Sequence, residues 1–396
     1  MNPRSSPLKW TWPILTVLAW AAFAGVAGHQ SQEPAVWGRW SRGYALMVAG
    51  AGALAGILTA GLAPSLRARW VRRVPAILAL GLGCLIALIV AEVRLRAWDP
   101  LGFSYRHEMQ RYIGMRQPDP DLVYGQPRSL RTELDGVEVR FNSLGLRGPE
   151  ILPKRPGERR ILFLGDSVVF GWGVSEADTF VQLVSEEWTR RTQNPWSSVN
   201  AGVCSYNTEQ EAIYLQHHGW DLAPDLVVLV LIDNDVLTYS ERWKAEAQAR
   251  ARSVLRRLQR LLRASYLYQL VHHTLEHGLG GVDQGLEERS VRPGSEGWQA
   301  SLSALQRIQA ACRERDTPLA VFHFRWEPHP WSDAFERAAT QAIPGTPILD
   351  TAPWFQDAPM REWVNSPVDA HPNPKGHARA AQRMVAALEQ LELLPK

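Results

Sequence analysis

Apolar positions follow two different patterns along this chain. Before residue 95 they run in long blocks, roughly Trp10–Ala27, Tyr44–Leu62 and Val74–Val93. Each block is close to the roughly 20 residues that cross a bilayer as a helix. The third holds the uncharged run Ala76–Val90, and the second is rich in Gly and Ala, which suits close helix packing. From Arg160 onward the blocks shorten and alternate with helical periodicity. Ile161–Leu164, Ser198–Asn200, Leu226–Ile232, Leu319–Phe324 and Pro347–Asp350 predict strands. Ala177–Thr192, Thr208–His218, Gln299–Arg315 and Lys375–Leu391 predict helices. The run Leu226–Ile232 is apolar on both faces, as in a central parallel strand. The alternation predicts a three-layer α/β domain around a parallel sheet.

Between these regions lies a polar lead-in. Pro118–Leu122 and Gly145–Gly148 read as turns, and Ser129–Leu134 and Val137–Phe141 as a hairpin closed at Asp135-Gly136. Pro153–Arg159 is a charged linker. The expected division is a membrane domain of about three transmembrane helices over 1–96, a juxtamembrane lead-in over 97–158, and a catalytic domain over 159–396. A helical insert at about 239–298 interrupts the last of these. Within it, Tyr239–His277 is basic and helical, with leucines at helical spacing among arginines in Arg250–Arg263. It reads as a lid, as a face for anionic lipid headgroups, or as an ordinary solvated helix face. Gly278–Gly294 reads as a loop.

Charge adds an orientation. Arg67, Arg69, Arg72 and Arg73 crowd the short loop before the third block. The positive-inside rule puts that loop in the cytoplasm, and the N-terminus, with Arg4 and Lys9, joins it only if the first block spans out and the second spans back. The expected location is the bacterial inner membrane, multi-pass, with the catalytic domain on the periplasmic side. Arg94 and Arg96 oppose this scheme, two charges against four. An alternative pairs the first two blocks as a hairpin and lets only the third span. The first block reads as an uncleaved helix rather than a signal peptide, since two more blocks follow and no cleavage site stands out. Trp10, Trp12, Trp37, Trp40, Trp70 and Trp98 lie near the block ends, where interfacial aromatics are expected. The net charge is only +3 and no polybasic tail or arm occurs, so nucleic acid is not an expected partner. Cys204 and Cys312 allow at most one disulfide beyond Cys84 and read as two buried thiols.

Candidate chemistry begins at Arg160–Ser167, where Gly165-Asp166-Ser167 follows a short strand. A serine at such a turn can draw on helix N-terminal N–H groups, or can simply cap the helix. Asn200-Ala201-Gly202 follows the next strand, Asp233-Asn234-Asp235 the one after, and Asp369-Ala370-His371 precedes the last helix. In a parallel sheet the carboxyl ends of these strands gather at one edge. A serine with a late Asp/His pair can make a nucleophile and its base. His217-His218 lacks a third ligand, and Gly165, Gly171 and Gly173 lack the lysine of a phosphate loop, so neither a metal nor a cofactor is expected. His323 and His329 flank a strand end and either shape the pocket or cap the strand; His377 reads as helix packing.

Taken in order, these blocks resemble the SGNH hydrolases, also called GDSL esterases and lipases. The resemblance covers roughly Leu122–Leu391. The run Asn142–Gly148 (Asn-Ser-Leu-Gly-Leu-Arg-Gly) resembles the lead-in of the bacterial membrane-attached branch. It implies an α/β/α, flavodoxin-like domain with a parallel sheet, preceded by transmembrane helices. It also implies Ser167 as nucleophile, His371 as general base and then acid, and Asp369 as the residue that orients His371. The oxyanion hole would comprise the N–H groups of Ser167 and Gly202 and the side chain of Asn234. Two positions depart from the family pattern. Val368 stands three residues before the histidine, where the acid often lies, and Ile232 replaces a glycine before Asn234. The implied activity is hydrolysis of O-acyl esters of a carbohydrate or lipid through an acyl-enzyme, beside membrane lipid. One alternative is an O-acyltransferase modifying a cell-surface polysaccharide, which implies a membrane acyltransferase partner. Another is a non-catalytic carbohydrate-binding or assembly module.

Overall fold

A computed structural model describes residues 8–28, 36, 39, 42–60, 62–236, 264–277 and 293–392. Most of the expected insert, including Arg250–Arg263 and residues 278–292, lies outside the described residues, as do Trp37 and Trp40. The chain divides into two compact units, Met1–Val93 and Arg94–Lys396.

In the first unit, α1 (Leu8–Ala27) and α2 (Arg42–Ala60) lie side by side. The Trp12 indole N–H donates to Leu58 O at 2.7 Å, and the Tyr44 hydroxyl donates to Val26 O at 2.8 Å. The start of one helix therefore meets the end of the other. A side chain at Gly52 would press on the Phe23 ring at 3.0 Å, so glycine permits this approach. The helix α3 (Pro64–Trp98) begins in this unit and continues into the next.

These helices overturn the expected multi-pass membrane protein with a periplasmic catalytic domain. Among the described residues one segment, Arg72–Trp98, is long and apolar enough to cross a bilayer. The apolar parts of α1 and α2 are shorter, Trp12–Ala27 and Met47–Ala60. At about 1.5 Å per residue neither reaches the roughly 30 Å of a hydrocarbon core.

The second unit is built on β5 (Arg159–Gly165), β6 (Trp196–Gly202), β7 (Leu226–Ile232), β8 (Leu319–Phe324) and β9 (Ile348–Asp350). They form one sheet in the order β6-β5-β7-β8-β9, and every neighbouring pair is parallel. The strands are apolar on both faces because both faces are covered. Ile161, Phe163, Val228 and Val230 pack on α6 (Phe180–Thr192) and the C-terminal helix Pro374–Gln390. Leu162, Leu164, Val227 and Leu229 pack on α7 (Thr208–His217) and the helices Glu296–Arg313 and Pro330–Ala342. Each such buried aliphatic side chain contributes about 2 kcal/mol. His377 joins two of these helices. Its Nδ1 accepts the Phe180 N–H at 3.1 Å, and burial pushes its imidazole down to about 3, so it stays neutral.

The lead-in supplies α4 (Ser104–Met115), the antiparallel pair β1 (Gln117–Asp119) and β2 (Val123–Gly125), and the antiparallel hairpin β3 (Leu130–Leu134) and β4 (Val137–Phe141). Asp135 and Gly136 both take positive φ at the hairpin turn, 50° and 76°, as a two-residue hairpin loop of the I′ class requires. Bridges Phe141–Arg147 and Arg147–Asn200 join the lead-in antiparallel to β6, so the whole is a mixed α/β/α fold.

Arg147 is the clasp of that junction. It is buried, and its guanidinium donates to the carbonyls of Phe170, Gly171 and Val174. Asn142 builds the turn that delivers it: its Oδ1 accepts from the N–H groups of Leu144 and Leu146, both at 3.0 Å. Arg147→Met should cost about 3 kcal/mol of unfolding free energy, because it strips the donor from three carbonyls at once. Urea denaturation followed by tryptophan fluorescence reads this. A loss below about 0.5 kcal/mol, typical of a surface change, would refute the clasp.

Candidate active site

The order of the strands locates the site. From β5 the chain passes to β6 on one side, then crosses back to β7 on the other. The carboxyl end of β5 is thus a switch point, where open parallel sheets leave a crevice. Ser167 stands there, at the start of the four-residue helix α5 (Ser167–Phe170). The turn is tight. Gly165 has φ +157°, and a Cβ on it would fall 2.3 Å from the Val169 side chain. Asp166 caps α5 by accepting the Val168 N–H at 2.9 Å on Oδ1.

His371 comes from β11 (Asp369–Pro372), which pairs antiparallel with β10 (Val364–Ser366). Its Nε2 lies 2.7 Å from Ser167 Oγ, and its Nδ1 lies 2.5 Å from Asp369 Oδ1. Asp369 is buried. Its Oδ1 also accepts the His371 N–H at 3.1 Å, and its Oδ2 accepts Asn365 Nδ2 at 3.0 Å. The carboxylate is held on both oxygens, and the Val368 side chain is buried beside it. Burial works against a charged His371, but the charge and hydrogen bond of Asp369, then the charges of Asp166 and Asp135, lift its imidazole above the ordinary value.

Ser167 Oγ has a second acceptor, Asp166 Oδ2 at 2.9 Å. A hydroxyl has one proton to give. When His371 is neutral, the proton can point to Nε2. When His371 is protonated, Nε2–H donates to Oγ and the serine proton turns to Asp166. Asp166 therefore stabilises the protonated pair.

Asn234 lies on the 3-10 turn Asp233–Val236 at the end of β7 and is partly buried. Gly202 ends β6 against α5, where a Cβ would fall 2.2 Å from Phe170 N. Only glycine fits. Its N–H is already engaged, donating to Asn200 Oδ1 at 3.0 Å. Asn200 in turn donates from Nδ2 to Val169 O at 2.8 Å, which ties β6 to the serine helix. The pattern Asn200-Ala201-Gly202 contained this brace, but its partner lies 31 residues away and no local periodicity points to it.

Three further residues border the dyad. Tyr105 from α4 and Trp172 after α5 set their rings 5.5 Å and 6.4 Å from the His371 ring, centroid to centroid. Asp135, at the hairpin turn, is raised to about 6, by burial first and then by the charges of Asp369 and Glu108. The Asp135 charge is among those that favour the His371 imidazolium. Removing that charge by Asp135→Asn destabilises the imidazolium, so the acid limb of kcat/KM should move to lower pH. A pH–rate profile of the variant reads this, and an unmoved or raised limb would count against it.

The remaining candidates serve elsewhere. Cys204 is buried, and burial pushes its thiol well above the ordinary range, so it is not a thiolate nucleophile. Cys204 and Cys312 are both free thiols. His217 faces Asp121 at 3.1 Å on the surface. His323 is fully buried and belongs to a second Ser–His–Asp set with Ser332 and Asp233. Both its ring nitrogens face carboxylates, Asp233 and Glu336, each at 3.0 Å. Burial alone would lower its pKa, but these two hydrogen bonds raise it to about 9. With a carboxylate at each ring nitrogen, His323 is engaged by Asp233 and Glu336. Ser332 is fully buried and donates to Asp233 Oδ1 at 2.7 Å. Ser332 Oγ also lies 3.4 Å from His323 Nε2, longer than the 2.7 Å from Ser167 Oγ to His371 Nε2.

The profile of the GDSL-like Lipase/Acylhydrolase family matches residues 163–379, more than half of the chain. A comparison with curated proteins finds no match. Among solved structures, the chain is similar to a GDSL-like lipase from Parabacteroides merdae, at 16% identity and TM-score 0.38, over 62% of this chain and 100% of that one. It is similar to a lipase/acylhydrolase from Enterococcus faecalis, at 14% and 0.37, over 60% and 98%. A third is an acetyl-xylooligosaccharide esterase from Geobacillus, at 15% and 0.38, over 58% and 93%. The chain belongs to the GDSL-like lipase/acylhydrolase family of SGNH hydrolases and is a serine hydrolase that acts on ester bonds through an acyl-enzyme.

Proposed function

We propose that the chain hydrolyses O-acyl esters of a carbohydrate or lipid, with Ser167 as nucleophile, His371 as base and Asp369 as its orienting acid. The observation that carries this reading is the relay from Asp369 Oδ1 through the His371 ring to Ser167 Oγ, at 2.5 and 2.7 Å. Ser167 Oγ bonds to the ester carbonyl carbon as its proton passes to His371 Nε2, and the carbonyl oxygen takes the negative charge. Collapse breaks the bond to the alcohol, which leaves with the proton from Nε2. Water repeats the sequence on the acyl-Ser167, giving the free acid and restoring the hydroxyl.

Asp369 keeps the imidazole in the tautomer that presents a bare Nε2 to serine, and it stabilises the imidazolium that follows. The oxyanion falls to the Ser167 N–H at the start of α5 and the Asn234 amide, which donates without titrating. Gly202 can join only if its N–H leaves Asn200 Oδ1. Assignment to the bacterial branch with the Asn142–Gly148 lead-in rests on that lead-in.

The test is to mix the purified protein with an O-acetylated oligosaccharide and, separately, a p-nitrophenyl ester, and to quench early for mass spectrometry. A transient single acyl adduct on the Ser167 peptide, with free acid released, supports the proposal. Release of acid with no adduct at Ser167 in early or later quenches counts against it. Acyl groups appearing on an added sugar instead of as free acid would make the acceptor a hydroxyl rather than water.

A further inference from the structure

The second Ser–His–Asp set includes Asp233, the first residue of the turn that carries Asn234. Asp233 Oδ1 accepts from His323 Nε2 at 3.0 Å and from Ser332 Oγ at 2.7 Å. Ser332 Oγ accepts Arg325 Nη1 at 3.1 Å. Arg325 grips Asp350 with a two-pronged fork, at 2.8 and 2.7 Å, and also reaches Asp333 and Glu336. Asp233, His323, Arg325 and Ser332 are all buried. They come from the end of β7, the end of β8 and the helix Pro330–Ala342. The far side of Asn234 is pinned as well. Asp235 Oδ2 accepts the Ile232 N–H at 2.8 Å, and Ser301 Oγ donates to Asp235 O at 2.8 Å.

We propose that Asp233, His323 and Ser332 are positioning residues that fix the Asp233–Val236 turn and so aim the Asn234 amide at the oxyanion. The inference rests on the reading of Asn234 as an oxyanion donor. Physically, a donor helps the transition state only if its direction is set before charge develops. A side chain on a short turn at the end of a strand swings unless its neighbours are held. Asp233 is held by two donors on two different elements, and charge-assisted hydrogen bonds of this kind are the stiff ones. Removing the Ser332 hydroxyl frees one of them and leaves Arg325 Nη1 without that acceptor, while nothing that touches substrate is lost.

The experiment is a double-mutant cycle on ester hydrolysis with Ser332→Ala, Asn234→Ala and the pair. Ser332→Ala should lower kcat by about ten-fold or more while KM stays within about two-fold, since the donor acts on the transition state. In the Asn234→Ala background, adding Ser332→Ala should cost nothing further in kcat. A merely structural role predicts something else: a lower melting temperature with unchanged kcat, or equal losses with and without Asn234. Either result overturns the proposal. Asn234→Ala with undiminished kcat overturns the oxyanion reading and the inference with it, which separates the two failures. Should Ser332→Ala not fold, His323→Gln takes its place in the same cycle, with the same expectations.

Discussion

Ser167→Ala is expected to lower kcat for ester hydrolysis by a factor of about 10⁴ or more, with KM changed only a few-fold. The serine stands at the switch point of the sheet, 2.7 Å from His371 Nε2. Ser332 is fully buried and gives its proton to a carboxylate. Methyl for hydroxymethyl leaves the turn intact, because Asp166 caps α5 through the Val168 N–H and not through the serine. The residual rate should come from binding and the oxyanion donors. Nucleophile and base act as one unit, so Ser167→Ala/His371→Ala should be no slower than the worse single variant. Initial rates with an activated ester, on protein with an unchanged melting curve, decide this. A loss below about ten-fold in Ser167→Ala would remove the serine from the chemistry.

Asp369→Asn should be the next most severe change, at about 10³- to 10⁴-fold in kcat. Asp369 Oδ1 accepts from both the His371 backbone N–H and Nδ1, and Asn365 holds Oδ2. An amide at this position can turn its NH₂ toward Nδ1 and force the ring proton to Nε2, where it blocks Ser167. The charge also matters. Asp369 is the strongest influence raising His371, so its removal should move the acid limb of the surviving activity to lower pH. Asn365→Ala leaves the carboxylate charged and should lose far less. Equal losses in Asp369→Asn and Asn365→Ala would mean that Asp369 acts through loop packing rather than through the imidazole.

The layered α/β/α fold was largely legible in the sequence because its signal is local. The wholly apolar run Leu226–Ile232 is a central strand, and alternate residues of β5 and β7 pack to opposite faces. The turn at Gly165-Asp166-Ser167 is local too. Its meeting with His371 crosses 204 residues and could be anticipated only because both lie next to elements whose ends converge. Other contacts carried no such marker. Tyr105 reaches His371 from the lead-in, Arg147 closes on the carbonyls after α5, and His323 meets Asp233 across 90 residues. Each is a pairing of one ordinary polar or aromatic residue with a distant one. The multi-pass reading erred for a related reason. A hydropathy block reports composition, but crossing a bilayer requires helix length, and the apolar parts of α1 and α2 are too short. Trp12, Thr16 and Tyr44 are spent on pairing those helices with each other.

The proposal that His371 activates one serine, Ser167, has a direct test. The most direct measurement is to label the purified protein with a fluorophosphonate and map the modified residue by peptide mass spectrometry, beside Ser167→Ala and His371→Ala. A single adduct on Ser167 is expected in the wild-type protein and none in either variant. An adduct on Ser332, or labelling that survives in folded Ser167→Ala, would contradict the proposal.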